Sequence, residues 1–292
     1  MTSTNRREHR GSILPLLQVI VLACVQGLTE FLPVSSTAHL VILPHLMHWH
    51  DPGLGFDIAL HLGTLLAVFI YFLPTWTSLL RSLWKSDSRN DDDHSPSGAI
   101  EGSGRRFAVL LIIATVPALI AGFLFHDAAE RQLRNFLIIG TSMIVVGLYM
   151  WLCEVVGGEP STAERLTVGS AIAIGLAQAI AIIPGVSRSG STIATGLLCG
   201  LNREDATRFS FLLSTPVIAG ATLFEGAHLM RDGLPADMRI PFLVGIAVSA
   251  IVGYATIWFL LRYLRTRTLL IFVVYRCVVG CVLLLFFWNS PL

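Results

Sequence analysis

Val25-Gln26-Gly27-Leu28-Thr29-Glu30-Phe31-Leu32-Pro33-Val34-Ser35-Ser36 is echoed 152 positions later by Ala177-Gln178-Ala179-Ile180-Ala181-Ile182-Ile183-Pro184-Gly185-Val186-Ser187-Arg188. That offset lays Gln26 on Gln178, Val34 on Val186 and Ser35 on Ser187, and it brings Pro33 beside Pro184. Each stretch is an apolar run interrupted by Pro and a group of hydroxyls, and the two motifs carry a Glu, a His and an Arg. In a membrane protein, a duplicated and broken segment with a polar tip marks a site at a repeat interface.

The composition puts the chain in a membrane. Hydrophobic residues make up 54% and charged residues 13%, with a mean hydropathy of +0.71. The charges crowd into short intervals between apolar runs of roughly 17–25 residues, the length that crosses about 30 Å of hydrocarbon. Lipid offers no water to unpaired backbone, so the spans are helical. The expected fold is an all-α integral membrane protein. A formal net charge of +1 predicts no nucleic-acid partner. Cys24, Cys153, Cys199, Cys277 and Cys281 show no paired spacing and read as free, buried thiols. Arg6, Arg7 and Arg10 before an apolar run imitate a cleavable signal, but that run flows directly into the first polar motif, so retention is expected.

Two units of the same plan follow, at 13–153 and 166–288. Each opens with a re-entrant hairpin (13–47, then 166–201) whose halves are too short to span. Irregular backbone at that depth requires surrounding protein or a water-filled cavity. Spans are predicted at 56–73, 107–125 and 136–152 in the first unit, and at 209–230, 240–261 and 269–288 in the second. Three crossings between the hairpins make the repeats inverted, with tips that can meet near the midplane. Eleven basic residues fall on the side away from the N-terminus and seven on the N-terminal side. The rule that cytoplasmic loops carry more Lys and Arg then sets both termini outside. The polar stretch 85–106, with Asp91-Asp92-Asp93, reads as a solvated cytoplasmic loop.

Chemistry concentrates at the two tips. Glu30 stands in apolar surroundings, where an ionised carboxylate needs a partner, and reads as a metal ligand or a proton handler. Gln26 lies one helical turn earlier and can offer a carbonyl oxygen to a cation. Ser35, Ser36, Thr37 and His39 form a nucleophile-and-base cluster, since His exchanges protons near neutral pH. The loop Pro184-Gly185-Val186-Ser187-Arg188-Ser189-Gly190-Ser191-Thr192 reads as an anion cradle. Its glycines permit tight turns, its hydroxyls donate, and a half-helix amino end attracts negative charge. Arg188 adds the planar fork that suits phosphate. A carboxylate for Mg²⁺ or Ca²⁺, an Arg for phosphate and a Ser/His pair together fit phosphoryl chemistry within reach of lipid.

The stretch from Gln26 to His39 resembles the (Glu/Gln)-x-x-x-Glu motif and adjoining His of the undecaprenyl-diphosphate phosphatases, the bacitracin-resistance family. The loop from Pro184 to Thr192 is similar to that family's Pro-Gly-x-Ser-Arg-Ser-x-x-Thr motif. The likeness covers nearly the whole chain, hydropathy order included. It implies hydrolysis of undecaprenyl diphosphate to the monophosphate, recycling the lipid carrier of cell-wall synthesis, in a multi-pass protein of the bacterial inner membrane. The same likeness implies bacitracin resistance and a site opening to the extracytoplasmic side. By motif position it implies essential roles for Glu30, His39 and Arg188, a nucleophile at Ser36, and phosphate contacts from Ser187 and Thr192. Ser35, Thr37, Gly185 and Ser189 join the expected phosphate cradle. Many members carry Glu where this chain has Gln26, which predicts weaker cation binding or more dependence on Glu30. The assembly state stays open, a homodimer included.

The rival class, the type 2 phosphatidic-acid phosphatases, resembles Ser-Arg followed six residues on by His. Here no His follows Arg188 until His228, so that reading falls. His45, His48 and His50 read as an interfacial loop rather than a zinc site. Asp57 and His61, four apart, read equally as a supporting pair or a satisfied hydrogen bond. The competing function is a polyprenyl-phosphate transporter or flippase, because inverted repeats with broken helices are also transporter architecture.

Overall fold

The computed structural model describes residues 15–50, 52–84, 104–131, 133–157, 166–233 and 235–287. The N-terminal arginines, the acidic triplet and most of the 85–106 loop lie outside the described residues. Every described element is helical.

The first half of the chain comprises α1 (Leu16–Phe31), α2 (Ser36–Leu46), α3 (Leu54–Tyr71), α4 (Leu73–Trp84), α5 (Gly104–Arg131) and α6 (Phe136–Val156). The second half comprises α7 (Val168–Ile180), α8 (Arg188–Leu198), α9 (Arg203–Asp232), α10 (Arg239–Leu264) and α11 (Leu270–Phe286), with one 3₁₀ turn at Ala236–Met238 before α10. Among the described residues four helices are long and apolar enough to cross a membrane: the segments Gly104–Phe125, Phe136–Val156, Arg203–Phe224 and Ala236–Leu264. The bent pair Gly55–Tyr71 and Leu73–Ser82 qualifies as a fifth, and α11 is apolar but shorter. The chain is an all-α, multi-pass membrane protein, and large apolar side chains such as Phe123, Leu223 and Leu285 are mostly exposed on it.

Both broken segments are helical on either side of their tips. At 16 residues α1 is about 24 Å long, too short to span. It stops two residues before Pro33, whose ring offers no N–H to continue the ladder. α7 stops before Pro184 and Gly185, and Gly185 takes φ 91°. A Cβ there would meet the Ile139 carbonyl of α6 at 2.6 Å, so the second tip needs glycine for close approach as well as for conformation.

Three features depart from the sequence reading. The first span does not end in a loop: at Phe72 it bends by 67° into α4. Pro74, in the first turn of α4, cannot donate to the preceding turn, and this breaks α3 from α4. α5 begins at Gly104, so Arg105 and Arg106 are helical, and Arg106 Nη2 donates to the Leu166 carbonyl at 3.1 Å. All five cysteines are free, but only Cys153 is buried and Cys281 is exposed.

Packing crosses between the halves. α1 lies on α10 while α7 lies on α5; α3 lies on α10 while α9 lies on α5; α6 pairs with α11 and α3 with α9. α6 and α11 meet where Gly140 faces Gly280, and a Cβ on either would come within about 3.0 Å of the other's carbonyl. Between the halves sits Arg276 of α11, wholly buried. It donates to the carbonyls of Gly185 (2.8 Å), Val186 (3.1 Å), Met143 (3.2 Å), Ser142 (3.4 Å) and Pro33 (3.4 Å). One guanidinium thereby joins both tips. A buried charge is tolerable when its donors are met, and a ring of carbonyl dipoles meets them here.

Candidate active site

The end of α1 aims Gln26 and Glu30 along one helical face. Gln26 Nε2 donates to Glu30 Oε2 at 3.1 Å. Ser36, the first residue of α2, donates its hydroxyl to the same oxygen at 2.7 Å. Arg188, the first residue of α8, donates Nη2 to Glu30 Oε1 at 2.7 Å. The two tips therefore meet on one carboxylate, 158 residues of sequence apart from its arginine. Glu30 and Arg188 side chains are only 7% and 12% exposed, so each charge depends on the other. Arg188 is aimed by a second bond, Nη1 to the Ser210 carbonyl of α9 at 3.3 Å.

Both second half-helices start from a residue in the left-handed region, Ser35 (φ 77°) and Ser187 (φ 69°). Ser187 Oγ accepts from Gly190 N at 3.2 Å, a side-chain cap on α8. Ser189 crosses between the tips, donating to the Leu32 carbonyl at 3.1 Å. The amino ends of α2 and α8 carry the positive ends of their helix dipoles into the same space.

That space is a cavity of about 390 Å³. Glu30, Ser35, Ser36, Thr37, Ser187 and Arg188 form its polar floor, while Leu40, Ala118, Val217 and Ile218 belong to an apolar wall. Asp57, His61 and Arg134 also line it, from the start of α3 and the α5–α6 connection. Arg134 and Asp57 approach to 3.7 Å.

Several expected site residues stand elsewhere. Thr192 faces α9, where its hydroxyl pairs with Ser210 Oγ at 2.6 Å. Ser189 and Gly185 support the tips instead of lining the cavity. His39 is one turn along α2 from the floor: Nδ1 lies 2.6 Å from the Ser35 carbonyl and Nε2 lies 2.7 Å from the Tyr275 hydroxyl. A carbonyl only accepts, so Nδ1 carries the proton and Nε2 takes the tyrosine's. His39 thus holds the strained backbone of Ser35.

His61 is the imidazole facing the carboxylate, with Nε2 3.7 Å from Glu30 Oε2. Its Nδ1 lies 2.7 Å from the Asp57 carbonyl, which only accepts, so Nδ1 carries the proton and Nε2 is left as an acceptor. Spacing alone could pair Asp57 with His61 but could not show that His61 points at Glu30. Arg276 was legible as a lone charge inside an apolar span, the kind of residue that marks function or structure by its cost. His45 packs on Phe136 and Phe287, at ring distances of 4.8 and 5.8 Å, which suits no zinc site.

A family model described as bacitracin resistance protein BacA matches residues 19–282. The chain belongs to the BacA family. An undecaprenyl-diphosphatase of Geotalea daltonii is 43% identical over 272 residues, covering 93% of this chain and 98% of that protein. One from Alcanivorax borkumensis is 44% identical over 275 residues, with 94% and 98% covered. One from Desulforudis audaxviator is 44% identical over 261 residues, with 89% and 94% covered.

The BacA-family tips offer a cation few protein ligands. Among the described residues no group of three His, Cys, Asp or Glu side chains is placed to hold a metal ion. Glu30 is the carboxylate between the tips, and Gln26 Oε1 is buried without a hydrogen-bond partner. Mg²⁺ is commonly held by one or two carboxylates with substrate phosphates and water completing the shell. This donor set fits such a shared site and not an all-protein cage.

Proposed function

We propose that this BacA-family chain hydrolyses undecaprenyl diphosphate to undecaprenyl phosphate and inorganic phosphate in the bacterial inner membrane, with the cavity opening to the extracytoplasmic side. The reaction returns the carrier lipid to cell-wall synthesis and underlies bacitracin resistance. The observation that carries the reading is the double engagement of Glu30, by the Ser36 hydroxyl on one oxygen and by Arg188 on the other. A pure binding site needs no hydroxyl resting on a carboxylate. The exchange of helix partners between the halves supports inverted repeats with the site at their interface.

In this reading the polyprenyl chain lies along the apolar wall and the diphosphate rests on the polar floor. A guanidinium has five N–H donors, so Arg188 keeps Glu30 and still donates to phosphate oxygens. The amide ends of α2 and α8 add partial positive charge where the transferring phosphoryl group gathers negative charge. Glu30 Oε2 takes the proton from Ser36 as Oγ bonds to the terminal phosphorus. The bond from that phosphorus to the bridging oxygen breaks, and undecaprenyl phosphate leaves. Water then attacks the phosphoserine, yielding inorganic phosphate and restoring the Ser36 hydroxyl with the proton held on Glu30. His61 faces the same oxygen and assists these transfers. A divalent cation held by Glu30 and Gln26 would neutralise phosphate charge.

The competing reading, a polyprenyl-phosphate flippase, is separated by one assay. Phosphate release from undecaprenyl diphosphate by the purified protein in detergent supports hydrolysis, because transport needs a sealed membrane. Substrate binding without release contradicts it.

A further inference from the structure

Gln26 and Gln178 occupy matching positions in the two repeats, yet their amides have opposite surroundings. Gln26 Nε2 is tied to Glu30, one turn on. The position matching Glu30 is Ile182, so the second repeat lacks that carboxylate. Gln178 is 3% exposed, and neither its Oε1 nor its Nε2 has a hydrogen-bond partner. Its side chain lines the cavity that holds Glu30, Ser36 and Arg188. Its neighbours on that wall, Ala179, Ala181 and Ile182, bring no polar side-chain group.

Burying a primary amide with donor and acceptor both unmet destabilises the free protein. A ligand that meets both recovers that free energy on binding. A polyprenyl chain can meet neither. Phosphate oxygens accept from Nε2, and a protonated phosphate oxygen or a phosphate-bound water donates to Oε1. We infer that Gln178 is a substrate-contact residue for the diphosphate group, holding phosphate alongside Arg188 of the same repeat. The inference rests on the hydrolase reading for its substrate.

The test compares the parent with Gln178→Met, of similar length and apolar, and with Gln178→Asn, which keeps the amide but withdraws it. Two quantities are read in detergent: phosphate release from undecaprenyl diphosphate, and the rise in melting temperature on adding inorganic diphosphate. In Gln178→Met the free protein should melt no lower than the parent, since an unmet polar group has been removed. Its KM should rise about tenfold or more, the worth of a hydrogen bond to a charged group, with kcat changing less. Its diphosphate-induced melting shift should fall, and Gln178→Asn should also lose affinity. A variant with lower melting temperature and the parent's KM and melting shift would overturn the inference and leave Gln178 a packing residue. A parent that releases no phosphate would sink the hydrolase reading. The diphosphate melting shift would still decide the contact, and an equal shift in parent and Gln178→Met would rule it out.

Discussion

Ser35 and Ser187, 152 positions apart, hold the same left-handed backbone state, φ 77° and φ 69°, each one residue before a half-helix that starts in the cavity. Residues with a Cβ adopt that state rarely and at a cost. The first tip is held in it by His39, through the Ser35 carbonyl. The second is held by the Ser187 cap on Gly190 and by Arg276, which grips Gly185 and Val186. The strain turns each chain sharply enough to aim an amide end and a hydroxyl at one carboxylate.

Substitutions at Ser35 should follow from that backbone state. Ser35→Gly removes the conformational conflict and is expected to keep stability within about 1 kcal/mol. Ser35→Val, branched at Cβ, should cost about 2 kcal/mol or more. Thermal melts in one detergent check both, and equal melting temperatures for the two variants would contradict the account.

Glu30 and Arg188 are coupled charges in a largely buried pair. Glu30→Gln should lose about 3 kcal/mol, because Arg188 is left without its counter-charge. It should also lose phosphate release by about 10²-fold or more, since Ser36 loses its proton acceptor. Combining it with Arg188→Met should recover part of the stability and none of the activity. Additive stability losses in the double-mutant cycle would show that the pair is not coupled.

The two histidines should separate kinetically. His61 lines the cavity and faces Glu30 across 3.7 Å, so His61→Gln should lower kcat while melting like the parent. His39 holds backbone, so His39→Gln should lower the melting temperature together with the rate. Rates and thermal melts in one detergent decide this, and the reverse pattern would return the proton-transfer role to His39.

Gln26 gives a test of the cation. Gln26→Glu sets two carboxylates where an amide now donates across 3.1 Å. The variant should melt lower than the parent without divalent cation and gain more from added Mg²⁺, with half-saturation at lower Mg²⁺. Chelation should abolish turnover in both. Identical Mg²⁺ titrations would remove Gln26 from the cation site.

Much of this was written in the chain. Pro33, Pro184 and Gly185 announced the breaks, because proline ends a helical ladder and glycine permits the turn, and the hydroxyls beside them announced polar tips. Glu30 and Arg188 were legible because charge at membrane depth demands a reason. Rotation about each half-helix was not legible. Thr192 and Ser189 carry the right chemistry but face α9 and the first tip, and His39 falls one turn off the floor. Nor did spacing show that His61 would meet Glu30 or that Arg276 would reach Pro33 and Gly185 together, because both contacts come from packing between distant helices. The α3–α4 bend was encoded in Pro74, at the end of the apolar run 65–73.

The most direct test of the central claim is inorganic phosphate release from undecaprenyl diphosphate in detergent with Mg²⁺, by the parent and by Arg188→Ala, with helical content of both followed by circular dichroism. The account predicts release by the parent and loss of at least about 10²-fold in a variant that keeps its helical content. Equal release by the two folded proteins would contradict it, because the phosphate would then be held and cleaved away from the meeting point of the two tips.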